Sequence, residues 1–247
     1  MEPDPQKQQH FLKSERILDD EVAVAKLTKK DRVVEIGAGD GRLTKLIAKK
    51  AGSVTSYETD EKFKDELENL ELENVIFTFH NALDDSWKGH NKIVSNIPYS
   101  LSEPVIMKAI KDDVKEITLI VGEKFANLLK DQETKIGVIA DLYFSTDFIQ
   151  KIGKAEFEPP PRVDSYLVHM KRKKPTEAEL VIQSIIEKES KTKNAIIMVL
   201  QKYGKTKNQA RKIIDDMRLN AETLEKSTKT ISGKFIERLK EEFRKRL

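Results

Sequence analysis

Short runs rich in β-branched residues alternate with stretches of helical spacing through the first three quarters of the chain. Arg32–Ile36 (RVVEI) runs straight into Gly37, and Leu43–Ala51 follows with apolar positions at helical intervals. Val54–Glu58 is a second short run and Glu61–Leu70 a second helical pattern. Val75–Phe79, Lys92–Ser95 and Ile117–Val121 predict three more strands, with a helix over Glu103–Lys111 between the last two. Gly122–Leu129 and Gly137–Phe144 read as further helices. Phe148–Ile152 and Tyr166–Met170 predict a closing hairpin around the proline-rich Glu158–Arg162. Near-continuous apolar strands alternating with amphipathic helices predict an α/β fold, a mostly parallel seven-stranded sheet covered by helices on both faces.

The pattern changes at Lys171–Pro175 (KRKKP). Beyond it come helical patterns at Ala178–Glu189, Asn194–Tyr203, Asn208–Met217 and Gly233–Arg246, with no convincing strand. The expected organisation is an α/β domain over residues 1–171 and a small all-helical domain over 172–247. Charge divides at the same place. Residues 171–247 hold 21 Lys/Arg against 11 Asp/Glu, whereas residues 1–170 hold 24 against 31. A basic helical domain on an acidic body points to a polyanionic partner for the former.

Composition narrows the chemistry. No apolar run approaches the roughly 18–20 residues that span a bilayer, and Met1–His10 is polar, without an apolar signal region. Cysteine is absent, which excludes disulfides and thiolate metal sites and fits a reducing, cytoplasmic setting. The four histidines, His10, His80, His90 and His169, show no metal-ligand spacing, so no metal is expected. A monomer without membrane association is the expected state.

Two constellations carry candidate chemistry. The first is Gly37-Ala38-Gly39-Asp40-Gly41, between a strand and a helix. Glycines there allow a tight turn and close approach of a ligand to the backbone. Arg42 breaks the GxGxxG fingerprint of dinucleotide sites. The GxGxG spacing left is more typical of methyltransferases, whose ligand carries no pyrophosphate. Glu58, at the end of the second strand, can accept hydrogen bonds from both hydroxyls of a ribose. Asp60, two residues on, reads as a cap of the following helix. Asn81, after the third strand, reads equally as a turn residue or as a partner for the edge of an adenine ring.

The second constellation is Asn96-Ile97-Pro98-Tyr99, directly after the fourth strand, where open α/β sheets hold their ligands. An exocyclic adenine amine is a poor nucleophile because its lone pair is delocalised into the ring. Acceptors holding both amine hydrogens draw the nitrogen toward tetrahedral geometry and localise that pair. Asn96 offers its side-chain oxygen, and a backbone carbonyl in a turn stiffened by Pro98 offers the second. Tyr99 offers a ring on which an extruded base can stack, worth about 1–3 kcal/mol.

Together these residues resemble the KsgA family of small-subunit ribosomal RNA adenine dimethyltransferases. Gln9-His10-Phe11-Leu12 is similar to the family's N-terminal segment, Glu35–Thr44 (EIGAGDGRLT) to its first cofactor loop, and Asn96–Tyr99 to its catalytic tetrapeptide. Phe157–Ser165 (FEPPPRVDS) matches its F-x-P-x-P-[KR]-V-D-S segment. The resemblance covers roughly residues 6–171. It implies a Rossmann-like class I methyltransferase fold, S-adenosyl-L-methionine as cofactor, and ribosomal RNA or a small-subunit precursor as partner. It implies cofactor contacts at His10, Leu12, Gly37, Gly39, Glu58, Asn81 and Asn96. It also implies that Asn96, Pro98, Tyr99 and Phe157 hold the target adenine, Tyr99 and Phe157 sandwiching the flipped base. Read without the family, Phe157 is a core residue.

The chain departs from the family at Gln8, usually Gly, at His10, usually Asn, and at Asn81, usually Asp; the Asn81 amide oxygen still accepts a hydrogen bond. Three other readings share these features. An Erm-type enzyme would use the same chemistry on large-subunit RNA. A non-catalytic RNA-binding module would keep the fold without the transfer. A methyltransferase for another planar amine would also suit Asn-x-Pro-Tyr.

Overall fold

Every strand predicted from an apolar run joins one sheet in the computed structural model, which describes residues 10–131 and 133–246. A two-residue strand, β1 (Phe11–Leu12), leads into helix α1 (Glu15–Val24). Then come β2 (Arg32–Ile36), α2 (Arg42–Lys50), β3 (Ser53–Tyr57), α3 (Lys64–Glu68), β4 (Val75–Thr78), β5 (Lys92–Asn96), α4 (Ser102–Lys111) and β6 (Glu116–Gly122). Two helices follow, α5 (Glu123–Lys130) and α6 (Lys135–Tyr143), and then β7 (Phe144–Ile152), the short β8 (Phe157–Glu158) and β9 (Ser165–Arg172).

The strand order is β4-β3-β2-β5-β6-β9-β7. Ladders from β4 to β6 are parallel, and only β9 runs against its neighbours. The β7–β9 pair is the expected hairpin, with Phe148 opposite Val168 and Ile152 opposite Ser165. Consecutive residues Val33-Val34 and Ile93-Val94 are all buried. A strand hidden on both faces needs cover on both faces, hence the unbroken apolar runs. The chain leaves β2 on one side for β3 and β4, then returns to its other side as β5. That reversal opens a crevice beyond the strand ends, where an α/β sheet receives its ligands.

Helix α1 is absent from the sequence expectations. Its signal is the pair Ile17-Leu18 followed four residues later by Glu21-Val22, all four buried. An acidic residue at a core position masks the apolar face.

Compact packing divides the chain into two units. One runs up to Asn127 and includes Phe144–Arg172; the other comprises Leu128–Tyr143 and the chain from Lys173 onward. The second boundary falls in the KRKKP stretch. The helical unit also takes in α6, which hydrophobic patterning assigns to the 1–171 segment. The reason is its apolar circumference: Ile136, Val138, Ile139 and Leu142 are all buried, and the helix needs cover on every side. Within this unit are α7 (Glu177–Ile186), α8 (Thr192–Lys202), α9 (Lys207–Asp216), α10 (Ala221–Glu225) and α11 (Gly233–Arg244). Helix α6 packs against α11. Gln183 of α7 donates to the Leu142 carbonyl, and Tyr143 donates to Glu187. Capping boxes at Thr176/Glu179 and Thr206/Gln209 start α7 and α9. Among the described residues, no helix is long and apolar enough to cross a membrane.

Candidate active site

The crevice at the ends of β2, β3 and β5 deepens into a cavity of about 190 Å³. His10, Leu12, Gly37, Gly39, Glu58, Asn81, Asn96, Pro98, Tyr99 and Phe157 all line it. Residues 8 and 9, part of the N-terminal motif, lie outside the described residues.

The half of the cavity at β2 and β3 is built from backbone. The amides of Gly37 and Ala38 both donate to the Tyr57 carbonyl, at 2.7 and 2.9 Å, pinning the glycine loop to the end of β3. Glu58 secures it further. One carboxylate oxygen accepts from the Gly39 amide at 2.9 Å, and the other from the Thr59 and Asp60 amides at 2.8 Å each. An ionised carboxylate has about four lone-pair sites, so capacity remains for a ligand hydroxyl. Gly39 lies at φ +54, and a Cβ there would come within 2.6 Å of the Phe11 ring. Only glycine tolerates both the conformation and the close approach. Phe11 packs edge-on to Phe63, with centroids 5.8 Å apart, and both join Ala38 in an apolar wall.

Asp60 caps the turn that opens toward α3, as its position predicts. Asn81 also caps: its side-chain oxygen accepts from the Leu83 amide at 3.1 Å, so one lone pair is committed to the turn. Beside it stands a group that sequence reasoning missed. Asp85 accepts from Tyr57 at 3.1 Å and pairs with His80 at 3.0 Å, with Tyr57 and His80 facing the cavity. Burial, then the carboxylate of Asp85, pushes the Tyr57 phenol up to about 12.

Behind the glycine loop, facing away from the cavity, Glu35 is fully buried. It accepts hydroxyl hydrogen bonds from Thr44 and Ser56, both at 2.6 Å. Burial outweighs those bonds and pushes the carboxyl up to about 8, so it is protonated at neutral pH. Glu21 on α1 is equally buried, and its carboxyl is raised well above the usual range by burial and by Glu35.

The half at β5 is built from side chains drawn from distant segments. Ser95 ties β5 to β2 by donating to the Ile36 carbonyl at 2.6 Å and accepting from the Ile36 amide. One residue on, Asn96 is half-buried, and its carboxamide makes no hydrogen bond to the described residues. Pro98 starts a tight turn in which its carbonyl accepts from the Leu101 amide at 2.9 Å. The Ile97 carbonyl accepts no hydrogen bond among the described residues. Tyr99 is half-buried, its hydroxyl 2.5 Å from Ser165 Oγ, and its ring lies near-parallel to His10 at 6.3 Å. Burial, more than the charge of Asp164, raises the Tyr99 phenol and keeps it neutral.

The N-terminal segment and the FEPPP segment meet over this half. β1 pairs with β8, Phe11 opposite Glu158 and Leu12 opposite Phe157. His10 Nδ1 donates to the Pro159 carbonyl at 2.8 Å, and the Lys13 amide donates to Glu156. Leu12 and Phe157 are 2% and 1% exposed and belong to the core with Leu18, Val94 and Ile120. Phe157 therefore forms a packed wall of the cavity. Among the described residues no cluster of side chains has the makings of a metal site.

Comparison with known proteins gives a family and a fold. A family model described as ribosomal RNA adenine dimethylase matches residues 4–234. A protein of Methanococcus maripaludis named "Probable ribosomal RNA small subunit methyltransferase A" is 31% identical over 90% of this chain and 91% of its own length. A Methanopyrus kandleri protein of the same name is 27% identical over 85% of this chain and 81% of its own. Among solved structures, a dimethyladenosine transferase from Plasmodium falciparum superposes with a TM-score of 0.68 at 22% identity, covering 96% of this chain and 98% of its own. The 23S rRNA methyltransferase ErmE superposes at 0.66 and 21%, covering 94% and 98%. At those identities, the two structures speak for the fold.

Proposed function

This chain belongs to the ribosomal RNA adenine dimethylase family, and from that premise we propose that it dimethylates the exocyclic amine of adenines in small-subunit ribosomal RNA, with S-adenosyl-L-methionine as donor. The observation that carries the reading is the carboxamide of Asn96, which forms no hydrogen bond among the described residues and shares a cavity with the amide-bound carboxylate of Glu58. The half at β2 and β3 suits such a donor: a buried carboxylate with capacity left for ribose hydroxyls, an apolar wall, and a backbone loop open to close approach. When bound, S-adenosyl-L-methionine supplies a methyl group on a sulfonium, which needs no further activation.

The remaining chemistry falls to the protein. Asn96 Oδ1 accepts one amine hydrogen and the Ile97 carbonyl, held by the turn at Pro98, accepts the other. The nitrogen lone pair is then localised toward the methyl group. Tyr99 fixes the plane of the base by stacking, and Phe157 closes the cavity behind it. The methylated amine is acidic enough to lose its proton to water, so no dedicated base is required. Alignment of this kind can contribute up to about 7–11 kcal/mol of a barrier. His10, Leu12, Gly37 and Gly39 shape the donor side, and Asn81 presents its second lone pair to the adenine edge of the donor.

Docking of the RNA falls to the basic corner between α8 and α9. Lys202, Lys205, Lys207, Arg211 and Lys212 are exposed there and form no ion pair among the described residues. ErmE shares the fold, so the fold does not choose between subunits. The small subunit is favoured because the curated relatives above are named for it. A cytoplasmic setting goes with this reading.

The test is incubation with labelled donor and under-methylated small or large ribosomal subunits, followed by nucleoside mapping. Label in dimethyladenosine of small-subunit RNA is the expected result. Label confined to the large subunit, or none, contradicts the proposal.

A further inference from the structure

Tyr99 is held from two directions by one rung of the sheet. Gly122 ends β6 and stands opposite Ser165, the first residue of β9. A Cβ placed on Gly122 would lie 3.0 Å from Tyr99 Cδ2 and 3.2 Å from Cγ, so the ring rests directly on this backbone. The Gly122 backbone itself is not left-handed, so the glycine is needed there for room and not for conformation. Across the rung, Ser165 is fully buried, and its hydroxyl meets the Tyr99 hydroxyl at 2.5 Å. A ring touched on one side at Cγ and Cδ2 and tethered at its far oxygen has little freedom to tilt. The tether comes from a strand whose register with both neighbours is fixed, Ser165 facing Gly122 on β6 and Ile152 on β7. The surroundings of Asp164, the residue before it, are also fixed: it accepts from the Lys154 amide at 3.0 Å and pairs with Lys151 at 3.1 Å.

We propose that the Gly122–Ser165 rung sets the tilt of the Tyr99 ring, making Ser165 a positioning residue for methyl transfer. This rests on the reading of Tyr99 as the platform for the target base. Stacking alone needs only an aromatic face. In-line transfer needs that face at one angle, because the tilt of the base decides where its amine points relative to the acceptors at Asn96 and Ile97. Removing the tether leaves the ring in place but free to rock, which lowers the fraction of bound bases in reacting geometry.

A double-mutant cycle between Ser165→Ala and Tyr99→Phe tests this, with kcat on under-methylated RNA, donor affinity and thermal midpoint recorded together. Tyr99→Phe keeps the ring and loses only the hydroxyl. Each single variant is expected to lose about tenfold in kcat, with donor affinity within about twofold, and the double variant is expected to lose no more than either. Losses that multiply in the double variant, or a kcat unchanged in both singles, overturn the proposal. Gly122→Ala supplies a second arm that spares the hydroxyl pair. Its loss of kcat is expected to vanish in a Tyr99→Ala background, where no ring remains to be pushed, and a loss that persists there contradicts the rung's role. Wild-type enzyme that labels no adenine overturns both this proposal and the function it rests on. Wild-type labelling with an unaffected Ser165→Ala overturns this one alone.

Discussion

The two halves of the cavity are made by different means. At β2 and β3 the surface is a local turn, the Gly39 amide bonded to a carboxylate only 19 positions further along the chain. At β5 the surface is assembled from afar: Tyr99 meets Ser165 across 66 positions, and His10 meets Pro159 across 149. In the first half the loop amides of Gly37, Ala38 and Gly39 are held by Tyr57 and Glu58, both from the end of β3. The second depends on sheet order and on the β1–β8 pair laid over it. Donor affinity should therefore follow local substitutions in the first half, and turnover should follow long-range contacts in the second.

The sharpest way to break that division is at Asn96. Asn96→Ala is expected to lower transfer by about a thousandfold, the scale of removing one preorganised hydrogen-bonding group from a reacting centre. Donor affinity should stay within about tenfold, equal to about 1.4 kcal/mol, as calorimetry would record. A matching collapse of donor affinity would merge the two halves. Glu58→Ala is the complementary cut. It releases the Gly39, Thr59 and Asp60 amides as well as the ribose contact. Donor binding is expected to weaken about 10- to 100-fold with RNA affinity little changed, and the reverse ranking would contradict the assignment.

Sequence legibility follows the same line. The glycine loop, Glu58 and the tetrapeptide each announce themselves within a few residues, and seven apolar runs yield seven strands. Phe157 carries two meanings that local pattern cannot separate, since a buried wall and a stacking platform both favour an aromatic residue. Its fully covered ring favours the wall. Ser165 closes the Phe157–Ser165 motif and Gly122 reads as a helix start, but the contact of each with Tyr99 is not legible there, because strand pairing alone brings these residues together. Helix α6 is legible as a helix but not as a member of the helical unit, since an apolar circumference does not say which neighbours will cover it.

The helical unit extends the comparison to the polyanion. Replacing Lys202, Lys205 and Lys207 with Gln is expected to make the slope of log affinity against log salt shallower by about 2–3, since each lost phosphate contact removes roughly 0.7–0.9. An unchanged slope would move docking away from the α8–α9 corner. A smaller effect concerns Glu35, behind the loop. The folded protein holds its proton up to about pH 8, whereas the unfolded chain releases it near 4.5, so stability falls as pH climbs between those values. Glu35→Gln is therefore expected to melt about 3 °C or more above the wild type at pH 8, with no gain at pH 5. An equal difference at both pH values would contradict a neutral Glu35.

The most direct measurement is a crystal structure of the complex with S-adenosyl-homocysteine and an adenosine-containing oligonucleotide. Asn96 Oδ1 is expected within about 2.7–3.2 Å of the exocyclic nitrogen, with Tyr99 stacked on the base. A carboxamide turned away from that amine, with the base held elsewhere, would contradict the account.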